Sequence, residues 1–162
     1  VGQRLEVGRV GRLGDLTVAG SRVPAEGEVA VEVVLTSVSG GIEVTGTVRA
    51  PWQGECRRCL QPVHAELVAE VRELYRPPGA DAGGEPDEET YALGSDHLDL
   101  EPLARDAVLL ELPLAPLCRP DCAGLCPTCG ADRNTTPCEC AAEALDPRWA
   151  ALDALRATDH AS

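Results

Sequence analysis

The sequence predicts an α+β fold, in which an antiparallel β-sheet or partly open barrel packs against one helix and leads into a cysteine-rich segment and a short C-terminal helix. Three observations predict it. Two β-prone runs flank a Gly-Gly turn, a third follows a CRRC turn, and one helical pattern precedes six closely spaced cysteines. With 162 residues, of which 44% are hydrophobic, the chain is long enough to bury a core.

The sheet is expected to be built mainly from three runs. EVAVEVVLTSVS occupies residues 28–39 and IEVTGTVRA occupies residues 42–50, with apolar and polar residues alternating from Ile42. Pro51 is expected to end the second run, and residues 3–23 to add a loose hairpin or edge element. The third run extends from Val63 to Tyr75 and is expected to place five residues on one face: Val63, Ala65, Leu67, Ala69 and Val71. Trp52 is expected to be a core or covering residue rather than a platform for stacking a base.

The segment after the sheet changes from acidic loop to helix. Eight acidic residues and no arginine lie between Asp81 and Glu101, and the Pro-Gly-rich composition predicts a mobile acidic loop over residues 77–97. LDLEPLARDAVLLELP then predicts a helix with Pro102 in its first turn and Pro113 at its end. Its apolar stripe is expected to contain Leu103, Ala107 and Leu110.

The domain organisation follows from these elements. We expect a β-rich core over residues 1–76, the acidic loop over 77–97, the core helix and its lead-in over 98–117, and a cysteine-rich module with the C-terminal helix over 118–162. In that helix Asp146 is the predicted N-cap, Pro147 the first helical residue and Trp149 the anchor. Together these parts are expected to form one compact domain.

The cysteine spacing predicts metal binding. Cys56 and Cys59 form one CxxC pair, and Cys126 and Cys129 form another within CPTCG, where two intervening residues allow both thiolates to reach one ion. Eight cysteines make two tetrahedral sets, so one or two structural zinc ions are expected. The preferred partition gives one ion Cys56, Cys59, Cys118 and Cys122, and the other ion Cys126, Cys129, Cys138 and Cys140.

Other uses of the cysteines stay open at this point. Disulfides, an iron–sulfur site and free or redox-active thiols are alternatives to zinc, although a thioredoxin-like role is disfavoured because no helical pattern follows CRRC. The sequence shows no membrane-spanning apolar run, so a cytoplasmic protein is expected, and that compartment favours thiolates over disulfides.

The composition argues against an enzyme. All fourteen basic residues are arginine, which excludes a Walker A lysine, a Schiff-base lysine and the phosphate-pairing lysine of a kinase. His64, His97 and His160 are scattered without a recognisable nucleophile partner. The net charge of −13 also argues against a protein that coats nucleic acid by bulk electrostatics.

Several motifs resemble one known family. GECRRCLQPV, the acidic loop, LDLEPLARDAVLLELPLAPLC, DCAGLCPTCG and DPRWAALDAL follow one another as in the YceD family, also called domain of unknown function 177. The resemblance covers about residues 28–155. It implies a bacterial or plastid protein needed for the accumulation, processing or stability of 23S ribosomal RNA and associated with assembly of the large ribosomal subunit.

The first functional hypothesis is therefore a non-enzymatic assembly factor that uses its cysteine-rich module as a docking platform. Its expected partner is the pre-ribosomal large subunit, through a ribosomal protein, a maturation factor or 23S RNA itself, with no membrane contact. Five arginines are the candidate contact residues: Arg49, Arg57, Arg58, Arg72 and Arg76. The alternatives are a zinc-dependent nuclease or hydrolase and a thiol redox sensor that uses Cys56 and Cys59.

Overall fold

The computed structural model describes residues 2–77, 90–94 and 97–140. Its strands are β1 (Arg4–Gly11), β2 (Thr17–Val18), β3 (Ser21–Arg22), β4 (Val29–Val38), β5 (Gly41–Glu55), β6 (Pro62–Arg76) and β7 (Thr90–Ala92), and its helix is α1 (Glu101–Glu111). The chain divides into two compact units, Val1–Cys122 and Ala123–Ser162. The strands and the helix belong to the first unit. Cys118 and Cys122 belong to the first unit, together with Cys56 and Cys59.

The sheet is organised around the long strand β5. Strand β4 pairs with β5 from Gly41 to Arg49, and the short β3 pairs with Gln53 and Gly54 farther along the same strand. Strand β6 pairs with β5 along its other edge, from Ile42 opposite Tyr75 to Glu55 opposite Pro62. Strand β1 extends the sheet beyond β4, and β7 adds the one parallel pairing among the described strands. The predicted antiparallel sheet is confirmed, and it is an open sheet.

The prediction that Pro51 ends the second strand is wrong. Pro51 lies at a point where one described strand, β6, pairs with β5. It faces Glu66 of β6, while on the other side β4 pairing stops at Arg49 and β3 pairing starts at Gln53. A proline has no N–H to donate to a neighbouring strand. Between Arg49 and Gln53 no described strand on the side of β4 and β3 requires that hydrogen bond, so a proline is tolerated there. Strand β5 therefore continues to Glu55, and Cys56 follows directly after the end of the strand.

The core lies between helix α1 and one face of the sheet. Leu67, Ala69 and Val71 are buried on β6 as expected, whereas Ala65 is exposed. Trp52 is 8% exposed and belongs to the core, as predicted. These side chains pack with the valines of β4 and β5 and with the buried side of the helix.

The helix is confirmed, but its predicted stripe is wrong at Leu110, which is 86% exposed. The buried helical residues are Leu103, Ala104 and Val108. Because successive helical residues are rotated by about 100°, the buried side of the helix is centred near Ala104. Leu110 lies beyond Leu103, at the edge of the buried side that is farthest from Val108. The apolar spacing alone did not show on which side of Leu103 the sheet lies.

A short strand lies inside the segment predicted to be a loop. Residues 90–92 form β7, which runs parallel to the end of β6. The rings of Tyr75 and Tyr91 stack with their centroids 5.1 Å apart, and the Tyr91 hydroxyl donates to Asp106 Oδ2 at 2.7 Å. The aromatic stack and this hydrogen bond explain why a polar segment is held against the sheet. The rest of the predicted loop between 78 and 89, and the predicted C-terminal helix with Trp149, lie outside the described residues.

Candidate metal centres

The turn between β5 and β6 presents the first CxxC pair. The Cys56 amide donates to the Gln61 carbonyl at 2.8 Å, and the Leu60 amide donates to the Cys56 carbonyl at 2.9 Å. Leu60 adopts a left-handed backbone conformation with φ 60°, which reverses the chain directly after Cys59. The turn thus places Cys56 and Cys59 side by side at the end of the sheet.

The segment that follows α1 is fixed beside this turn by several hydrogen bonds, three of which are 2.9 Å or shorter. Buried Ser21 donates its hydroxyl to the Pro113 carbonyl at 2.6 Å, and the Arg57 amide donates to the Pro116 carbonyl at 2.9 Å. The Arg58 guanidinium donates to the Cys122 carbonyl at 2.9 Å. These bonds bring the second half of the first cysteine group to the CRRC turn.

The first group contains Cys56, Cys59, Cys118 and Cys122, whose four sulfur atoms all lie within 4.8 Å of one another. The Cys56 and Cys122 sulfurs are 3.8 Å apart, and the Cys59 and Cys118 sulfurs are 3.6 Å apart. A tetrahedral ion with zinc–sulfur bonds of about 2.3 Å requires sulfur–sulfur separations of about 3.8 Å. The donor set therefore fits zinc in number, chemistry and spacing. Cys118 is exposed, while the other three cysteines are buried.

The second group lies in the second unit and contains Cys126, Cys129, Cys138 and Cys140, again with all sulfurs within 4.8 Å of one another. Cys126 is buried and Cys129 is exposed. Cys138 and Cys140 lie two residues apart in the chain and contribute both of their sulfurs to this group. The two groups have the membership preferred from the spacing, and metal binding by them stays a prediction.

The two CxxC turns share one hydrogen-bonding pattern. The Cys126 amide donates to the Ala131 carbonyl at 2.8 Å, and the Gly130 amide donates to the Cys126 carbonyl at 2.9 Å, as at Cys56 and Leu60. Gly130, with φ 73°, occupies the position of Leu60. Glycine adopts this conformation without the steric cost that leucine incurs. The two turns therefore share one backbone geometry, although the first lacks the glycine by which such a turn is recognised in a sequence.

Each group contains one thiol whose pKa is lowered, while the pKa is raised at Cys59 and Cys118 in the first group and at Cys140 in the second. Backbone N–H groups, foremost that of Cys118, lower the pKa of Cys56 to about 6, and those of Cys129 and Thr128 lower the pKa of Cys126 to about 6. Desolvation and the neighbouring sulfurs raise the pKa of Cys118 to about 12. The Cys129 sulfur and desolvation raise the pKa of Cys140 to about 12. Four thiolates in such a space repel one another unless a cation is bound among them.

The second unit also contains a polar network that the sequence analysis missed. The Asp132 carboxylate accepts hydrogen bonds from the Asn134 amide at 2.9 Å and from its side chain at 2.6 Å. Asn134 Oδ1 in turn accepts the Ala123 amide at 2.8 Å. The available signal was the Asp-Arg-Asn spacing, which is typical of an Asx turn. The network closes the loop that carries the second CxxC pair.

The five candidate contact arginines do not form one patch. Arg72 lies opposite Thr45, eleven residues before Cys56, which is roughly 35 Å along the strand, and it pairs with Glu43 at 2.9 Å. Arg76 lies farther along, at the end of β6, and Arg49 lies between the two ends of the sheet. Arg57 and Arg58 alone adjoin the first cysteine group, where Arg57 Nη1 approaches the Leu114 carbonyl at 3.4 Å.

Histidine does not contribute to the candidate centres in the part of the chain that the structure describes. His64 is exposed on β6 opposite Gln53, and His97 lies before α1, so neither joins a group. His160 lies outside the described residues. No helix among the described residues is long and apolar enough to cross a membrane.

Comparisons with known proteins agree with the motif resemblance. Residues 44–156 match the family model described as Large ribosomal RNA subunit accumulation protein YceD. An uncharacterized protein of Mycobacterium tuberculosis is 44% identical over 123 residues, which cover 75% of this chain and 59% of that protein. A Mycobacterium leprae protein is 37% identical over 80% of this chain and 59% of its own length. No solved structure matches.

A plant relative carries a functional name. The Zea mays protein named Large ribosomal RNA subunit accumulation protein YCED homolog 1, chloroplastic, is 28% identical over 80% of this chain and 56% of its own length. This chain thus spans less than two thirds of the curated relatives that it matches. The family name implies involvement in accumulation of the large ribosomal RNA. With a model match over residues 44–156, the chain belongs to the YceD family.

Proposed function

We propose that this chain is a non-enzymatic cytoplasmic factor that supports accumulation of 23S ribosomal RNA during assembly of the large ribosomal subunit, with two structural zinc centres, the first of which fixes its docking surface. The observation that carries the proposal is the gathering of eight cysteines into two compact groups of four in a member of the YceD family. The name of the maize relative supports the same role.

The composition of the groups favours structural metal over catalytic metal. A catalytic zinc ion keeps a position open for water and usually has histidine or carboxylate ligands, whereas four thiolates complete a tetrahedral shell. Each group supplies four sulfurs. When bound, zinc would hold the turns together and neutralise part of the thiolate charge.

The proposed docking surface surrounds the first cysteine group and consists of Arg57, Arg58, Leu60 and Leu114. Leu60 and Leu114 are 60% and 65% exposed, and the hydrogen bonds of the two arginines with the segment after α1 hold the surface together. Exposed leucines beside arginines favour a protein partner, such as a ribosomal protein or maturation factor, because the surface offers no exposed aromatic ring for stacking on a base. The chain's net charge of −13 supports the same choice.

Depletion of the protein followed by complementation tests the role. Loss of the protein is expected to lower the ratio of 23S to 16S RNA and to accumulate large-subunit precursors. Wild-type protein should restore the ratio, as should Leu110→Ala, which alters an exposed leucine on α1. Cys56→Ser with Cys122→Ser should fail because the first centre is lost.

The docking surface is tested separately with Leu60→Ala plus Leu114→Ala. This variant should retain bound zinc and the folded sheet but should sediment away from precursor particles in a gradient. An unchanged ratio of 23S to 16S RNA after depletion would contradict the proposed role. Normal sedimentation of the leucine variant with precursors would contradict the surface alone.

A further inference from the structure

Among the described residues, the outer edge of β1 is an unpaired strand edge. Strand β1 stands at the end of the strand order, and among the described strands only β4 pairs with it. Every residue of β1 except Val7 is exposed, and Leu5 is 61% exposed. Such an edge presents free N–H and C=O groups on which another strand can pair.

The hydrogen bonding with β4 shows which residues of β1 direct their backbone outward. The Ser37 amide donates to the Gln3 carbonyl at 2.9 Å, and the antiparallel register continues from there with Arg4 opposite Thr36. Because residues in an antiparallel ladder alternate between the two edges, the odd-numbered residues bond to β4. Arg4, Glu6 and Gly8 therefore direct their N–H and C=O groups to the open edge.

Only part of this edge is available for pairing. The Arg9 guanidinium donates to the Gly8 carbonyl at 2.8 Å and so occupies an acceptor in the second half of the strand. No such side-chain hydrogen bond is described at the backbone of Arg4 or Glu6. The available half is centred on Leu5.

The sequence around Leu5 is self-complementary in one antiparallel register. If a twofold axis passes beside Leu5, Arg4 lies opposite Glu6 of the second copy, Glu6 lies opposite its Arg4, and the two Leu5 side chains face each other. Both charged pairs are then also the backbone hydrogen-bonded pairs. A twofold axis at Arg4 or at Glu6 would place two like charges opposite each other. An axis at Val7 would place Leu5 of one copy opposite Arg9 of the other.

We propose that two copies of this chain pair through the outer edges of β1, with the twofold axis beside Leu5, and form one continuous sheet across the dimer. The interface is isologous, so each copy supplies the same residues. This inference concerns the sheet edge and does not rest on the cysteine groups.

Charge reversal in the whole 162-residue chain, purified without chelators, tests the dimer by sedimentation equilibrium over a concentration series. Arg4→Glu and Glu6→Arg, each alone, oppose like charges twice across the axis and should weaken the dimer by about tenfold or more. The double variant Arg4→Glu plus Glu6→Arg restores opposite charges and should recover the wild-type dissociation constant. Within the chain these residues lie directly opposite Thr36 and Val34, so neither reversal places like charges directly opposite each other on β4.

Two substitutions of exposed apolar residues distinguish the proposed pairing at Leu5 from a general effect of removing apolar surface. Leu5→Ser should weaken the dimer, whereas Val10→Ser, at a residue that is 66% exposed on the same strand, should not. A wild-type chain that is monomeric throughout the series would overturn the proposal. So would a dimer that persists in both single reversals, or one that the double variant fails to restore.

Discussion

At the scale of single residues, the sequence predicted which cysteines are candidate metal ligands but not the environment of each thiol. Cys56 and Cys126 could be predicted as candidate ligands from CxxC spacing, because two intervening residues allow both thiolates to reach one ion. Their lowered pKa values depend on backbone N–H groups from the folded turns and from Cys118, which spacing cannot show. Leu60 in a left-handed conformation was likewise hidden, because glycine usually marks such a position.

The hydrogen bond between Tyr91 and Asp106 should contribute to stability. Tyr91→Phe removes the hydroxyl that donates to Asp106 Oδ2 at 2.7 Å and should lower the free energy of unfolding by about 1 kcal/mol in urea denaturation. Asp106→Ala is the second arm of a double-mutant cycle. If the two residues interact as described, the double variant loses less stability than the sum of the single variants, whereas additive losses would refute the interaction.

The stacked tyrosines predict a loss of stability in alkali. Desolvation raises the pKa of both Tyr75 and Tyr91, and for Tyr91 the hydrogen bond with Asp106 raises it further. The unfolded chain ionises these phenols near pH 10 while the folded chain keeps them protonated. The contribution of the two protonated phenols to the free energy of unfolding is therefore complete below about pH 10. It is lost as the pH rises through the pKa values of the tyrosines in the folded chain.

The comparison that isolates this effect uses Tyr75→Phe plus Tyr91→Phe. Urea denaturation between pH 9 and pH 11 should show a shallower decline for the double variant than for the wild type. Thiol ionisation contributes in both proteins and cancels in the difference. Parallel declines would show that the phenols do not titrate differently on folding.

At the scale of elements, β-branched runs and turn residues predicted the antiparallel strands and the helix, because each pattern reflects local geometry. These local patterns could not show which strand or sheet face lies beside each residue. Pro51 is tolerated since β5 lacks a partner beside it between Arg49 and Gln53, and Leu110 is exposed since the sheet covers the other side of Leu103. Strand β7 forms because Tyr91 stacks on Tyr75, a contact between distant segments.

Gly46 in β5 allows close approach of β4, and this predicts a sharp contrast between two strand glycines. A Cβ at Gly46 would lie 2.7 Å from Val33 Cα and closer still to the Glu32 carbonyl oxygen, whereas a Cβ at Gly8 would meet nothing within 4 Å. Gly46→Ala should therefore lower the free energy of unfolding by about 2 kcal/mol or more. Gly8→Ala should be neutral or slightly stabilising in the same urea titration. Equal effects at both positions would contradict the described pairing of β4 with β5.

At the scale of the whole molecule, the chain has two compact units, and each contains one cysteine group. The family and the candidate metal ligands could be inferred from linear motifs. The end of the first unit at Cys122 depends on hydrogen bonds such as that from Arg58 to the Cys122 carbonyl, which no motif displays. Because the groups lie in separate units, we expect each to bind its ion without the other.

Zinc content per chain, measured by elemental analysis of protein purified without chelators, tests the account most directly. The wild-type chain should bind two zinc ions, one in each group of four cysteines. Cys56→Ser plus Cys122→Ser should retain only the ion of the second unit, and Cys126→Ser plus Cys138→Ser only that of the first. A wild-type chain without bound metal and with eight titratable thiols, or a pair of substitutions that abolishes both ions, would contradict two independent zinc centres.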